Sequence, residues 1–327
     1  MIDNLKKYWF VVVICLIFVV FIGVFAKKEM DSVLRGKTAD GQDVVSQIND
    51  TNYLVNDYYE DLKETYGKVD LYTLFERSVL SAIETSEEIA TQAKKDAETF
   101  KQNVAAQEGQ SGLDKYDKAL VGLGYKGIDE LNVLYEDSAK RDIIIRDYAN
   151  DNKEKYVDTY FADAKPRIVS HILVKMDDPE NPTATQQEKI DEINKRLADG
   201  VSFTDVAKAL SDDTASAKQD GLVGFMDKNA QMYAQFVEAA LKLEQGEVSE
   251  WINTKEAGRH LIKVDSIDLE TFTSDQYLAN YIAGITAHHK DLASHAIWNK
   301  AKDLKIEFKD DDVKNQILEV MNIKEGE

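Results

Sequence analysis

The amino-acid sequence predicts an α+β protein: a small sheet flanked by helices, residues 166–268, inserted into a mostly helical domain behind an N-terminal transmembrane helix. Three observations lead there. Two apolar runs of strand character, Arg167–Lys175 and Gly258–Asp265, each centre on one histidine. The stretches on either side carry apolar residues at helical spacing, and no proline occurs before Pro166. Residues 8–26 form an uncharged apolar run long enough to cross a bilayer.

The chain has 327 residues, enough for two or three domains, and a net charge of −20. That charge argues against nucleic acid as a partner, because phosphate neutralisation needs clustered Lys and Arg. The excess acid is spread along the chain and reads as solvated surface. Cys15 is the one cysteine and lies in the apolar N-terminus. It excludes an intramolecular disulfide, and the rest of the chain has no thiol nucleophile.

In chain order, residues 1–28 read as a membrane anchor. Tyr8–Ala26, flanked by Lys6–Lys7 and Lys27–Lys28, would span about 28 Å as a helix, close to the hydrocarbon thickness of a bilayer. Tyr8, Trp9 and Phe10 suit one interface. A cleaved signal peptide ending at Val24-Phe25-Ala26 is an alternative that the length of the run disfavours. Acylation at Cys15 is another, disfavoured by the bulk of Ile14. Residues 29–42 read as a linker.

From residue 43 to 165 helices are expected. Leu71, Leu74, Phe75, Ser78, Val79 and Ala82 form one stripe at helical spacing. Asn52–Tyr66 and Ile128–Tyr148 show looser versions, and Glu84–Lys101 a polar one. Glycines at 109–112 and 122–127 interrupt them, and Pro166 marks the boundary of the next unit.

Within 166–268, strand periodicity puts His171 on the face of Val169 and Leu173, and His260 on that of Ile262 and Val264. Buried ring nitrogens must find partners. One such histidine reads as a hydrogen-bonded core residue; two suggest a shared site. Between them come a turn at Pro179 and Pro182, a helix Gln186–Ala198, and a helix to Leu210 capped by Ser202. A polar loop Ser211–Gly224, a helix Ala234–Leu243 and a strand Val248–Asn253 follow. Residues 269–327 are helical again, with Leu278, Ile282, Ile285 and Leu292 at helical spacing. Such short segments bury little alone. They are expected to pack back on the N-terminal helices, which makes 166–268 an insertion.

The motifs of this middle unit resemble the parvulin-type peptidyl-prolyl isomerases. S-H-I-L-V-K at Ser170–Lys175 matches that family's opening strand, and F-T-D-V-A-K-A-L-S-D-D-T-A-S-A-K at Phe203–Lys218 its second helix and active-site loop. F-V-E-A-A-L-K-L-E-Q-G-E-V-S at Phe236–Ser249 and G-R-H-L-I-K-V at Gly258–Val264 follow in order and spacing. The resemblance implies a small antiparallel sheet. It makes His171 and His260 the paired histidines beneath the site and Asp213 the residue facing the substrate carbonyl. Met232, Phe236, Val223 and Met226 would line the proline pocket. Leu222 stands where the family's G-G-D-L-G has aspartate, and Ala257 where a hydroxyl residue often precedes the G-x-H glycine. The flanks, through N-D-Y-Y-E-D-L-K-E-T-Y-G at Asn56–Gly67 and L-G-Y-K-G-I-D-E-L at Leu123–Leu131, resemble extracytoplasmic foldases of the PrsA type or chaperones of the SurA type.

The implied function is a membrane-anchored foldase of the bacterial cell envelope, its body on the extracytoplasmic side. It would bind unfolded exported proteins and isomerise their X–Pro bonds. The alternative is a non-catalytic holdase that uses the same fold as a peptide-binding scaffold. Rotation about X–Pro breaks no bond, so neither cofactor nor metal is expected. A His171/His260/Asp213 metal set is the rival reading, disfavoured because no further ligand appears at useful spacing. His288, His289 and His295 read as surface or packing residues. Homodimerisation is left open.

Overall fold

The structure, a computed structural model, describes residues 38–39, 41–48, 51–56 and 71–324. The Tyr8–Ala26 span lies outside them, as does Cys15. Among the described residues no helix is long and apolar enough to cross a membrane. Contacts divide the chain between Asp70 and Leu71, and the two parts are taken separately.

The first part holds a three-stranded antiparallel sheet, β1 (Thr38–Ala39), β2 (Gln42–Ile48) and β3 (Thr51–Leu54). This corrects the helix expected from residue 43 and the linker reading of 38–42. Val44 pairs with Leu54, Ser46 with Tyr53 and Ile48 with Thr51. β-Branched and aromatic residues flank an Asn49-Asp50 pair, a hairpin signal that a loose apolar recurrence conceals. Residues 57–66 of the expected Asn52–Tyr66 helix lie outside the described residues.

The second part is a helical body carrying a sheet. Residues 71–81 form α1, followed by α2 (Glu87–Gly122), α3 (Leu131–Asp151) and α4 (Lys153–Ala164). After the sheet unit come α9 (Leu269–Phe272), α10 (Leu278–His288), α11 (Leu292–Asp303) and α12 (Asp311–Met321). Phe75 and Val79 of α1, Ile145 of α3, Tyr156 and Tyr160 of α4, Tyr281 and Ile285 of α10, Ile297 of α11 and Leu318 of α12 share one core. The C-terminal helices thus complete a core begun before Pro166. The buried face of α1 is Phe75, Val79 and Leu80, whereas Leu74, Ser78 and Ala82 of the expected stripe are exposed. α2 is capped by Ser86, whose hydroxyl accepts from Ile89 N at 3.2 Å. It kinks at Gly109 rather than ending there.

Between α4 and α9 the chain builds β4 (Arg167–Lys175), α5 (Ala184–Ala198), α6 (Phe203–Leu210), α7 (Thr214–Ala217), β5 (Leu222–Met226), α8 (Ala234–Ala240), β6 (Ile252–Thr254) and β7 (Gly258–Ser266). The strands form one antiparallel sheet in the order β5-β4-β7-β6. Thr183 and Gln186 cap α5 reciprocally and Ser202 caps α6. Those two helices cover one face through Ile190, Ile193, Phe203 and Val206 on Ile172 and Val174. α8 covers the other, with Phe236 and Val237 against Val169, Ile262 and Val264. The buried Arg167 donates to the carbonyls of Ala240, and of Leu243 at 3.0 Å. It places a cation where the exposed carbonyls of α8 gather, and so ties the helix that bears Phe236 to the start of β4.

β5 was not foreseen; the polar Ser211–Gly224 loop was expected there. Its Leu222 and Phe225 pack on the helical body while Val223 and Met226 join the α8 side. With both faces partly covered and Gly224 inside it, the strand shows no alternation to read.

Candidate active site

β4 and β7 set the two histidines by register. His171 lies opposite Ile262 and His260 opposite Leu173, so the histidines are diagonal neighbours on one face of the sheet. Their rings stack with centroids 5.4 Å apart and planes 23° from parallel. Nδ1 of His171 is 3.2 Å from Nδ1 of His260. His171 Nε2 lies 2.8 Å from Asp213 Oδ2 and 3.0 Å from Ser216 Oγ. His260 Nε2 lies 2.9 Å from Thr254 Oγ1. Every ring nitrogen of the pair is engaged, and among the described residues no His, Cys, Asp or Glu cluster has the make-up of a metal site.

With one proton on each ring, these contacts are all satisfied in a single direction. Hydrogen bonds from Ser216 and His171 outweigh the effect of burial on Asp213 and hold its carboxyl at about 2, so it accepts. His171 Nε2–H then donates to Asp213, and His171 Nδ1 accepts from His260 Nδ1–H. His260 Nε2 in turn accepts from the Thr254 hydroxyl at 2.9 Å, a shorter contact than that hydroxyl's other acceptor, Gly258 O at 3.2 Å. Burial first, and then the neighbouring His171, push His260 down to about 4, which keeps it neutral at pH 7. The chain of donors therefore runs from Thr254 through both histidines to the carboxylate.

The active-site loop is fastened to the edge of β4 that β5 leaves free. Asp212 N donates to Leu173 O at 2.8 Å, Leu173 N to Ser211 Oγ at 3.1 Å and Lys175 N to Asp212 Oδ2 at 2.9 Å. Asp213 caps α7 through Ala215 N at 3.1 Å. Gly221, at φ +86°, closes the loop by accepting from His171 N at 2.8 Å; a Cβ there would lie 2.7 Å from Ala207 Cβ. Gly258, at φ +128°, admits the backbone of β4 so closely that a Cβ would lie 2.8 Å from Met176 N.

The structure gathers most of the expected residues. Phe236, 1% exposed, sets its ring edge-on to His171 and His260 at 5.8 and 5.5 Å, and forms a floor with them. Met232, 37% exposed, stands on the segment that leads into α8, and Val223 is half-buried against the Phe236 cluster. Met226 lies in the same buried cluster as Phe236 and Val223, at its end away from the histidines. It pairs with Arg167 at the start of β4 and is 2% exposed in the core, about 13 Å along the strand from His171. The register shift beside Val169 and Ser170 defeats a count of residues through Gly224. Sequence reasoning also missed Thr254, Ser216 and Tyr233. Thr254 supplies to His260 the hydroxyl that Ala257 lacks, across the β6–β7 pairing. Its signal is tertiary and no local pattern reveals it. Tyr233, 39% exposed, tilts over His260 at 6.2 Å. Its signal was an exposed-type aromatic next to Met232.

Comparison with known proteins bears on this constellation. Residues 171–266 match the model of the rotamase family, the PPIC-type PPIASE domain. The "Foldase protein PrsA" of Geobacillus kaustophilus is 31% identical over 287 residues, covering 85% of this chain and 90% of that protein. The chain belongs to the PrsA foldase family. It is a parvulin-type peptidyl-prolyl cis–trans isomerase within a PrsA-like foldase. The "Foldase protein PrsA" of Staphylococcus aureus strain Newman is 30% identical over 246 residues, covering 67% of this chain and 69% of that one. The crystal structure of PrsA from Bacillus subtilis covers 84% of this chain and 98% of its own at 23% identity, with a TM-score of 0.42. Leu222, where the resemblance expects an aspartate, has a local role. Leu222 packs on the helical body.

Proposed function

We propose that this foldase is held at the cell membrane by its N-terminal segment, with its body on the extracytoplasmic side. The helical body, drawn from residues 71–165 and 269–327, binds unfolded exported chains, and the unit at 166–268 isomerises their X–Pro bonds. His171, His260 and Asp213 act on the amide, Met232 and Val223 wall the proline pocket, and Phe236 is its floor.

The observation that carries this reading is the directed chain from Thr254 to Asp213, buried at one end and half-exposed at the other beside Met232 and Tyr233. Rotation about X–Pro faces a barrier of about 18–20 kcal/mol because it breaks amide resonance. In the planar amide the carbonyl oxygen carries extra negative charge, which the twisted amide gives up. A carboxylate held ionised by its hydrogen bonds repels the planar form more than the twisted one. Catalysis follows from that difference. An apolar floor and walls accept the proline ring in either isomer and let the carbonyl side turn.

Leu222 and Ala257, the two departures that favoured a holdase, are accommodated outside the histidine network: one packs on the helical body, and Thr254 replaces the hydroxyl absent at the other. The test assays the full chain with Asp213→Asn for isomerisation of a proline tetrapeptide and for suppression of client aggregation. A fall of about ten-fold in kcat/KM, as expected for loss of one charged group at the amide, with aggregation suppression kept, supports the division of labour. Unchanged kcat/KM sinks the role of Asp213. Mass determination of the mature protein in the membrane fraction tests retention of the anchor.

A further inference from the structure

α10 carries a glycine at its centre, Gly284, where alanine would favour the helix by up to about 1 kcal/mol. The reason is steric. A Cβ at 284 would sit far inside contact distance of the Tyr160 hydroxyl and 3.3 Å from Asp227 Oδ2. Tyr160, fully buried in the helical body, donates to Asp227 Oδ2 at 2.8 Å, and Asp227 is itself 7% exposed. Asp227 follows β5 directly. Its Oδ1 accepts from Asn229 N at 2.7 Å and its carbonyl from Ala230 N at 3.1 Å, and Ala230 O accepts from Met232 N at 2.9 Å. The backbone from Asp227 to Met232 is therefore a hydrogen-bonded run hung from Tyr160. Two further contacts hold it to the same body, and a third holds the end of β5 just before it. Lys228 N donates to Ala164 O at 2.9 Å, Lys228 pairs with Asp163, and Phe225 stands edge-on to Phe272 at 5.4 Å. Burial, with the Asp227 carboxylate behind it, pushes the Tyr160 hydroxyl up, so Tyr160 remains the donor at any working pH.

We infer that Tyr160, seated beneath Gly284, is a positioning residue for the isomerase. Through Asp227 the helical body fixes the segment that presents Met232 and Tyr233, and so sets how tightly an X–Pro segment is held. The inference rests on the assignment of Met232 to the proline pocket. Displacing a positioning group by an ångström can cost up to about 10²-fold; loss of one hydrogen bond at this remove is expected to cost about five-fold, in KM.

The test is steady-state isomerisation of a proline tetrapeptide by the full chain at a temperature where every variant is folded. Tyr160→Phe, which keeps the ring, is expected to raise KM about five-fold with kcat within about two-fold. Gly284→Ala, which forces the hydroxyl aside, is expected to do the same. Asp227→Ala with Tyr160→Phe is expected to be no worse than Asp227→Ala alone, since the two act through one bond. A merely structural bond would lower the melting temperature and leave KM unchanged in Tyr160→Phe and Gly284→Ala, and that result overturns the inference. Met232→Ala separates the two levels. If it raises KM while Tyr160→Phe does not, the inference alone fails; if Met232→Ala leaves KM unchanged, the pocket assignment fails and takes the inference with it.

Discussion

The sheet unit and the helical body both bury polar networks, but the two end differently. In the body, Tyr125 donates to Asp137 at 3.0 Å and Lys140 to Leu80 O at 3.2 Å, with Asp137 and Lys140 both buried. Those bonds tie α1 and the segment after α2 to α3, and all four residues are buried. In the sheet unit the chain from Thr254 through His260 and His171 reaches Asp213, a third of whose side chain is open to solvent, beside exposed Met232 and Tyr233. Burial of titratable groups is common to both regions. What distinguishes the site is a buried, fully partnered network that surfaces next to apolar side chains.

The contrast is broken or sharpened most strongly by deleting one member of each network. His171→Ala is expected to lower kcat/KM on a proline tetrapeptide by about 10²-fold, the range for loss of a preorganised electrostatic group. Lys140→Met should instead cost about 1–3 kcal/mol of stability, read as a lower urea midpoint, with kcat/KM per folded molecule unchanged. If Lys140→Met impaired turnover as much as His171→Ala, the distinction between the two networks would collapse.

Next in size is a pair of glycine replacements. Gly258→Ala forces a Cβ against the backbone of β4 at a φ of +128°, and about 2–3 kcal/mol of destabilisation is expected. Gly109→Ala, at φ +64° and ψ −156° with nothing within 4 Å, meets backbone strain alone and should cost only about 1–2 kcal/mol. Thermal unfolding of the two variants decides; equal losses would mean that the backbone approach at β4 is not under the constraint described.

The pH dependence comes next. The folded pKa of His260 is depressed to about 4 from an ordinary 6.5. Between those values the unfolded chain binds a proton that the folded chain refuses, so stability rises with pH through the window and is fully present above it. Asp213, at about 2 against 3.8, adds a second loss as pH falls from about 3.8 towards 2. His260→Gln is expected to flatten the urea midpoint between pH 6.5 and 4. A profile as steep as that of the parent would assign the acid loss to other groups.

The smallest effect belongs to the end of the chain. Thr254→Val removes the hydroxyl donor to His260 and should cost about 1 kcal/mol, with a few-fold fall in kcat/KM that Thr254→Ser restores. Loss without rescue by serine would point to packing rather than to the hydrogen bond.

How much of this was legible in the sequence follows from the range of the signals. β4, α5, α6 and β7 are written locally, in runs with a single period and strong caps such as Thr183 and Ser202. His171 and His260 were legible because each stands alone in an apolar strand. β2 and β3 were misread because a few apolar residues in a short run fit two periods equally well. The face of α1 was misjudged for a related reason: Leu74 and Phe75 are adjacent, and only the neighbouring helices decide which of them is buried. Thr254 and the Met226 register depend on how β6 and β5 pair, which no local pattern states. Gly284 is a further case. A mid-helix glycine carries no meaning until Tyr160 and Asp227 are seen beneath it.

The central claim is the direction of the proton chain, and it can be read without kinetics. Nitrogen-15 NMR of the histidine rings in the folded chain at pH 7 distinguishes the tautomers. The account predicts one N–H per ring, on Nδ1 of His260 and on Nε2 of His171. A protonated Nε2 on His260, or a doubly protonated His260 ring, would contradict it.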